Sequence, residues 1–263
     1  METHLLKSLL VNRGVEPFVH LEIRTPRYVL KTLDQVSELE EVLKMRTVIF
    51  GEEYGVENLQ ANLDVDRFDL GCDHLIIKIP ETGEIVGAYR LLCSAFTSSF
   101  YSSTEFDLEE FLKSPGIKLE LGRACIKKDH RKGAVISLLW RGIVQYAIET
   151  RADYLFGCSS IKTTSYASVL DIQEGLKLNG RIGSEWKIEP SPPFRFQEDE
   201  KAKPHCGLIE IPSLLQSYFS AGAKVYGEPA LDREFHCVDY LTILRLSELK
   251  SNFERRYRNE QSA

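Results

Sequence analysis

IKLELGRACI at residues 117–126, KKDHRKG at 127–133 and AVISLLWRGIVQYAIETR at 134–151 decide the fold. The first is a mainly apolar run of strand length, and the last is a long amphipathic helix. A basic turn with one glycine joins them. A strand running through such a turn into a helix aims backbone N–H groups at the loop, where the helix dipole favours a phosphate. A plain basic turn has the same composition, so other evidence has to decide.

Upstream, residues 34–50 read as a helix, with Val36, Leu39, Leu43 and Phe50 at the three-and-four spacing of one face. HLIIKI (74–79), the turn PETGE and IVGAYRLL (85–92) read as a strand hairpin. Downstream, YLFGC (154–158) is a short buried strand and 163–178 looks helical. The stretch 179–203 contains NG, PSPP and EDEKAK and reads as an exposed loop. A helix near 212–221, a strand around 236–244 and a final polar helix follow. Residues 1–25 are left as a leader without assigned structure, and 26–263 as one α/β domain around a mixed sheet.

Composition narrows the function classes. Thirty-three basic against 39 acidic residues give a net charge of −6, which disfavours nucleic acid as a partner. No apolar run approaches the length of about 20 residues that a membrane span needs. The opening METHLLKSLLVNRG is too short in apolar residues for a secretory signal, so the expected address is the cytoplasm. Peripheral contact with the inner face of the membrane stays open. Six scattered cysteines, several inside apolar runs, read as small buried hydrophobes, and no spacing suggests a metal site.

Charges stand out where apolar residues are expected. Arg46 follows Leu43 by three and precedes Phe50 by four, on the apolar face of its helix. Asp64, Asp66 and Asp69 cluster in LDVDRFD. Arg90 shares a strand face with Val86, Ala88 and Leu92, and Glu120 and Arg123 lie inside the decisive strand. Buried charges must be paired, so these residues suggest one charge-balanced cavity. Glu120 and Arg123 are three apart and would face opposite sides of a regular strand. A β-bulge at Gly122 would bring them to one face. A structural ion-pair network is the plainer reading of the same residues. From Lys118 to Arg141, seven basic residues (Lys118, Arg123, Lys127, Lys128, Arg131, Lys132, Arg141) face two acidic ones (Glu120, Asp129). That stretch is +5 in a chain of −6, and it suits an acidic partner.

At these residues the sequence resembles the GNAT superfamily. RTVIFGEEYG, DVDRFDLGCDHLII, VGAYRLL, FYSSTEFDL, ELGRACI and LLWRGIVQY are similar to its haemolysin-like branch, which includes ornithine-lipid N-acyltransferases and long-chain N-acyl amino acid synthases. The likeness is strong over about 27–160 and weaker through 227–244. It extends to the acyl-homoserine-lactone synthases, where an Arg and a Phe match Arg46 and Phe50, an acidic-x-Asp-x-x-Asp motif matches Asp64, Asp66 and Asp69, a strand Arg matches Arg90, and Glu-x-x-Arg matches Glu120 and Arg123. The resemblance implies an α/β (α+β) fold with a central mixed, mostly antiparallel sheet flanked by helices. It also implies acyl transfer from a thioester to an amine, with no bound cofactor and no metal.

The implied roles follow. Glu120 takes the ammonium proton, which must leave before attack because free amines have pKa values well above 7. Arg90 and Arg123 bind the acceptor's carboxylate or hold the acid cluster in register. Arg46, Phe50, Asp64, Asp66 and Asp69 order the acceptor pocket. Ala124, Cys125, Ile126, Lys127, Lys128, Arg131, Lys132, Gly133 and Ala134 receive the donor's phosphopantetheine arm, and a strand N–H among 123–126 polarises the thioester carbonyl. Acetyl-CoA enzymes of the superfamily carry Arg/Gln-x-x-Gly-x-Gly/Ala here, whereas Arg131 to Val135 has one residue fewer before its glycine and no second glycine. That departure and the +5 stretch favour acyl carrier protein over acyl-CoA as donor. The implied activity is long-chain N-acyltransfer to an amino acid or ornithine-type amine. An autoinducer (acyl-homoserine-lactone) synthase and a non-catalytic binder of acyl groups or carrier protein are the alternatives.

Overall fold

The computed structural model describes residues 15–55, 63–131, 133–201 and 210–249. In chain order come strands β1 (Glu22–Arg24) and β2 (Val29–Thr32), helix α1 (Val36–Tyr54), and strands β3 (Asp73–Lys78), β4 (Ile85–Cys93), β5 (Phe106–Asp107) and β6 (Ile117–Ile126). Helix α2 (Gly133–Glu149), strand β7 (Ala152–Ile161), helix α3 (Tyr166–Leu178), and strands β8 (Ile182–Gly183) and β9 (Glu189–Pro190) follow. Helix α4 (Ser213–Ala221) and strands β10 (Lys224–Asp232) and β11 (Cys237–Arg245) complete the described elements. The described residues form two compact units, one within 15–99 and 119–152, the other within 100–118 and 153–249.

In the first unit, antiparallel pairing gives the strand order β1-β2-β3-β4-β6. Helix α1 buries Leu39, Val42, Leu43, Arg46, Ile49 and Phe50, while Val36, at its first turn, is 40% exposed and lies off that face. Gly55 ends the helix with φ 69°, a left-handed position where glycine has no Cβ penalty. Helix α2 lies close to the sheet, and a Cβ at Gly142 would come within 2.6 Å of Leu30 and 3.2 Å of Leu75. The buried Tyr146 hydroxyl of α2 donates to Asp73 Oδ2 at 3.0 Å. Asp73 also accepts the backbone N–H groups of Phe18 and Val19. The leader assignment is therefore corrected for residues 15–25: their backbone is tied to Asp73, and Glu22–Arg24 pairs with β2 as the edge strand.

In the second unit the order is β7-β11-β10-β8, with β10 and β8 parallel and the other pairs antiparallel. The sheet is mixed and mostly antiparallel, as expected. The stretch expected as an exposed loop, 179–203, is mostly exposed among its described residues and is anchored at a few points. Ile182–Gly183 extends the sheet, Glu189–Pro190 pairs with β5, and Ile188 is 4% exposed. Trp186 packs edge-on against Phe111 and Tyr154. Such aromatic contacts anchor an otherwise polar, turn-rich stretch. The expected final polar helix falls beyond residue 249, outside the described residues, apart from a short 3₁₀ turn at Leu246–Glu248. Among the described residues, no helix is long and apolar enough to cross a membrane.

Candidate active site

The first unit gathers three arginines and three aspartates on one side of its sheet. Arg46 is fully buried on α1; its Nε donates to Asp64 Oδ2 and its Nη1 to Asp69 Oδ1, both at 2.8 Å. Arg90 of β4 donates from Nη1 to Asp66 Oδ1 at 2.7 Å and to Asp69 Oδ1 at 3.3 Å. Arg123 of β6 donates from Nη2 to Asp66 Oδ2 at 3.3 Å, and its Nε lies 3.4 Å from Asp64 Oδ2. Arg46 therefore takes Asp64 and Asp69, while Asp66 bridges Arg90 and Arg123.

Local backbone chemistry presents the acids. Asp66 caps a 3₁₀ turn at Arg67–Leu70: its side chain accepts from Phe68 N, and Asp69 returns a bond to Asp66 N. The backbone N–H of Asp64 donates to Thr47 Oγ1 one helical step from Arg46. Burial pushes the Asp69 carboxyl up, but the Arg46 and Arg90 guanidiniums overcome it and hold the pKa well below its ordinary value. Asp64 is lowered in the same way, mainly by Arg46 and then Arg123. His74, 3.6 Å from Asp69, is pushed down to about 4 by burial, with Arg46 and Arg90 adding to the effect against Asp69, so it is neutral at pH 7. Asp69, Cys72 and His74 have atoms close enough to share a metal ion, but Asp69 is already bound by two guanidiniums.

Register places the decisive side chains. Arg90 pairs with Gly122 and Leu92 with Glu120, so Glu120 lies on the Arg90 face of the sheet. Between Gly122 and Cys125, β6 makes three steps against two on β4, and Arg123 adopts φ 50°. The bulge therefore lies at Arg123–Ala124, just after Gly122 where it was expected, and it still brings Arg123 onto the Arg90 face. Glu120 is 2% exposed, and a Cβ at Gly122 would meet nothing within 4 Å. Open space thus adjoins the face between Glu120 and Arg123. Phe50 is buried on the same helix as Arg46, its ring 6.4 Å from that of Tyr54.

The donor segment is less basic at its surface than its charge count suggests, and the expectation of a +5 docking face is corrected. Lys118 is 2% exposed, with its ammonium on the carbonyls of Ser114, Pro115 and Gly116. Arg123 is committed to the aspartates. Lys127 pairs with Glu84 and Arg131 with Glu53. Lys128, Gly133 and Ala134 are exposed, Ala124 and Ile126 half-buried, and Lys132 lies outside the described residues. Burial pushes the Cys125 thiol up to about 12, which removes it as a nucleophile. The turn Lys128–His130 leads into α2 at Gly133, whose first N–H groups lack partners within the helix.

Comparison with known proteins shows the family of the chain. Residues 45–141, which hold every one of these groups, match the family described as "Acetyltransferase (GNAT) domain". An L-ornithine N(alpha)-acyltransferase of Brucella abortus is 30% identical over 236 residues, covering 82% of this chain and 84% of that protein. The chain belongs to the GNAT acyltransferase family. An enzyme of the same name from Rhizobium meliloti is also 30% identical, over 82% of this chain and 79% of its own. Among solved structures, the N-acyl amino acid synthase FeeM from uncultured soil microbes superposes with TM-score 0.51 at 12% identity, covering 86% of this chain and 95% of that one, which supports the fold.

Proposed function

We propose that the protein transfers a long-chain acyl group from acyl carrier protein to the α-amine of an amino acid, with an ornithine-type diamino acid as acceptor. The observation that carries this reading is the open face beside Gly122, bordered by the buried Glu120 and by Arg123 in the bulge. Glu120 removes the ammonium proton, the free amine attacks the thioester carbonyl, and the C–S bond breaks to release the donor's thiol, which leaves with the proton that the new amide nitrogen gives up. The bulge takes Arg123 and Ala124 out of register with β4, and a strand N–H among residues 123–126 polarises that carbonyl as negative charge develops. Arg90 holds Asp66 and Asp69 in register. Arg123, with its side chain 15% exposed against 1% for Arg90, is the guanidinium that meets the acceptor's carboxylate. Diamino acid acceptors are supported by the names of the Brucella and Rhizobium relatives. Carrier protein is favoured over coenzyme A by a loop with one glycine, which cradles a single phosphate better than a pyrophosphate. Peripheral membrane contact at the cytoplasmic face belongs to the same reading, because the product carries a long acyl chain.

The test is incubation of purified protein with long-chain acyl carrier protein and a mixture of amino acids, followed by mass spectrometry of extracted lipids. An acylated diamino acid, formed much faster than with acetyl-CoA, is expected. Release of thiol without any acylated amine, or equal turnover with acetyl-CoA, contradicts the reading.

A further inference from the structure

Two features stand outside the chemistry above. In the second unit Glu105 is 1% exposed, with Asp239 and then Asp232 as its strongest charged neighbours. In the first unit a tyrosine at the edge of the sheet reaches the turn between β6 and α2, on the donor side of the reaction. The Tyr28 hydroxyl and His130 Nδ1 share a hydrogen bond at 3.0 Å, and their rings meet edge to face with centroids 6.0 Å apart. Both residues are half-buried.

Tyr28 is itself fixed. It closes the turn between β1 and β2, where the Thr25 N–H donates to Tyr28 O at 2.8 Å. Thr25 Oγ1 donates to the same carbonyl at 2.9 Å and accepts the Tyr28 N–H at 3.0 Å. Three bonds within four residues leave this backbone little freedom, so the ring carries its hydroxyl to one place. His130 in turn closes the 3₁₀ turn Lys128–His130, its N–H donating to Lys127 O at 2.8 Å, and α2 begins three residues later at Gly133.

The other side-chain ties on this turn are of a different kind. Lys127 pairs with Glu84 and Arg131 with Glu53, through side chains that are 34–44% exposed. Ion pairs that open to water contribute little and weaken with salt. Arg131 Nε donates to Ile126 O at 2.9 Å, which folds the segment on itself without tying it to another strand. The Tyr28–His130 bond needs no ionised partner and joins the turn to the β1–β2 edge. Small displacements of a group that positions a substrate have large kinetic effects. We propose that Tyr28 is a positioning residue for the acyl donor: through His130 its hydroxyl sets the turn that receives the phosphopantetheine arm. This rests on the acyltransfer reading above.

The test is steady-state kinetics of full-length wild type, Tyr28→Phe, His130→Ala and the double variant, with long-chain acyl carrier protein and L-ornithine. Tyr28→Phe removes one oxygen and keeps the ring contact. Its KM for the carrier protein should rise about three- to tenfold, the worth of one hydrogen bond, while kcat, the KM for ornithine and the melting temperature stay close to wild type. His130→Ala should raise the same KM at least as far. Tyr28→Phe should then add nothing in the His130→Ala background, because both changes break one bond. An unchanged donor KM in Tyr28→Phe, an equal loss on the ornithine side, or effects that add in full in the double variant would overturn the proposal. If the wild type transfers no acyl group, the acyltransfer reading fails and direct binding decides. Tighter binding of acyl carrier protein by wild type than by Tyr28→Phe then supports the positioning role, and equal binding or none overturns it.

Discussion

The two buried acid clusters have similar residues and opposite electrostatics. Around Asp69, every carboxylate is held by arginine, and the acids are lowered below their ordinary range. Around Glu105, carboxyls face carboxyls, and the acid is raised. In the first arrangement each acid finds a guanidinium inside the fold.

The largest effect that sharpens this contrast is at Arg46. Arg46→Ala should cost about 3–5 kcal/mol, since it strands Asp64 and Asp69 in the interior. Glu105→Gln should cost little, or raise the melting temperature, because it removes a carboxyl repelled by its neighbours. Denaturant titrations of both variants check this pair. Similar losses at the two sites would break the comparison.

The pH dependence provides a second, smaller contrast. Asp64 and Asp69 fold with pKa values below the ordinary 3.8, so their stabilisation is present above that value and is lost as pH falls. His74, lowered from 6.5 to about 4, contributes stability above pH 6.5 that is lost as pH falls towards 4. Glu105 is raised above 4.5, so its contribution is full below pH 4.5 and is lost as pH rises through its folded value. Melting curves from pH 3 to 9 should therefore show an acid-side loss in wild type and in Glu105→Gln alike. The decline on the alkaline side should flatten only in Glu105→Gln. The smallest expected effect is at the donor surface. Lys128→Glu with Arg131→Glu should raise the apparent KM for acyl carrier protein several-fold, less so at high salt, with folding nearly unchanged.

Much of the first cluster is legible in the sequence because its arginines and Glu120 violate a period. Arg46 occupied an apolar helical position, and Arg90, Glu120 and Arg123 interrupted strand patterns. The elements carrying them lie within a few residues of their expected bounds. The site of the bulge was one residue off, since alternation shows that a strand must slip but not which backbone bends. Pieces such as Glu22–Arg24, Ile182–Gly183 and Glu189–Pro190 were missed because two or three residues carry no period. Lys118 was counted as surface charge, and only the folded turn shows carbonyls surrounding its ammonium. Glu105 lay in the quoted segment FYSSTEFDL without being singled out. The acids that weigh on it, Asp239 and Asp232, are far away in sequence.

The measurement that bears most directly on the proposed chemistry is the pH–rate profile of Glu120→Gln, taken with its melting temperature. Gln keeps the size of Glu and cannot accept a proton at neutral pH. As general base, Glu120 should contribute on the order of 10²–10⁴ in kcat. The account predicts a fall of that size at pH 7, partial recovery at high pH where the amine arrives deprotonated, and a melting temperature close to wild type. A variant that keeps more than about half of the wild-type kcat at pH 7, or one that melts early and gains nothing with pH, would contradict it.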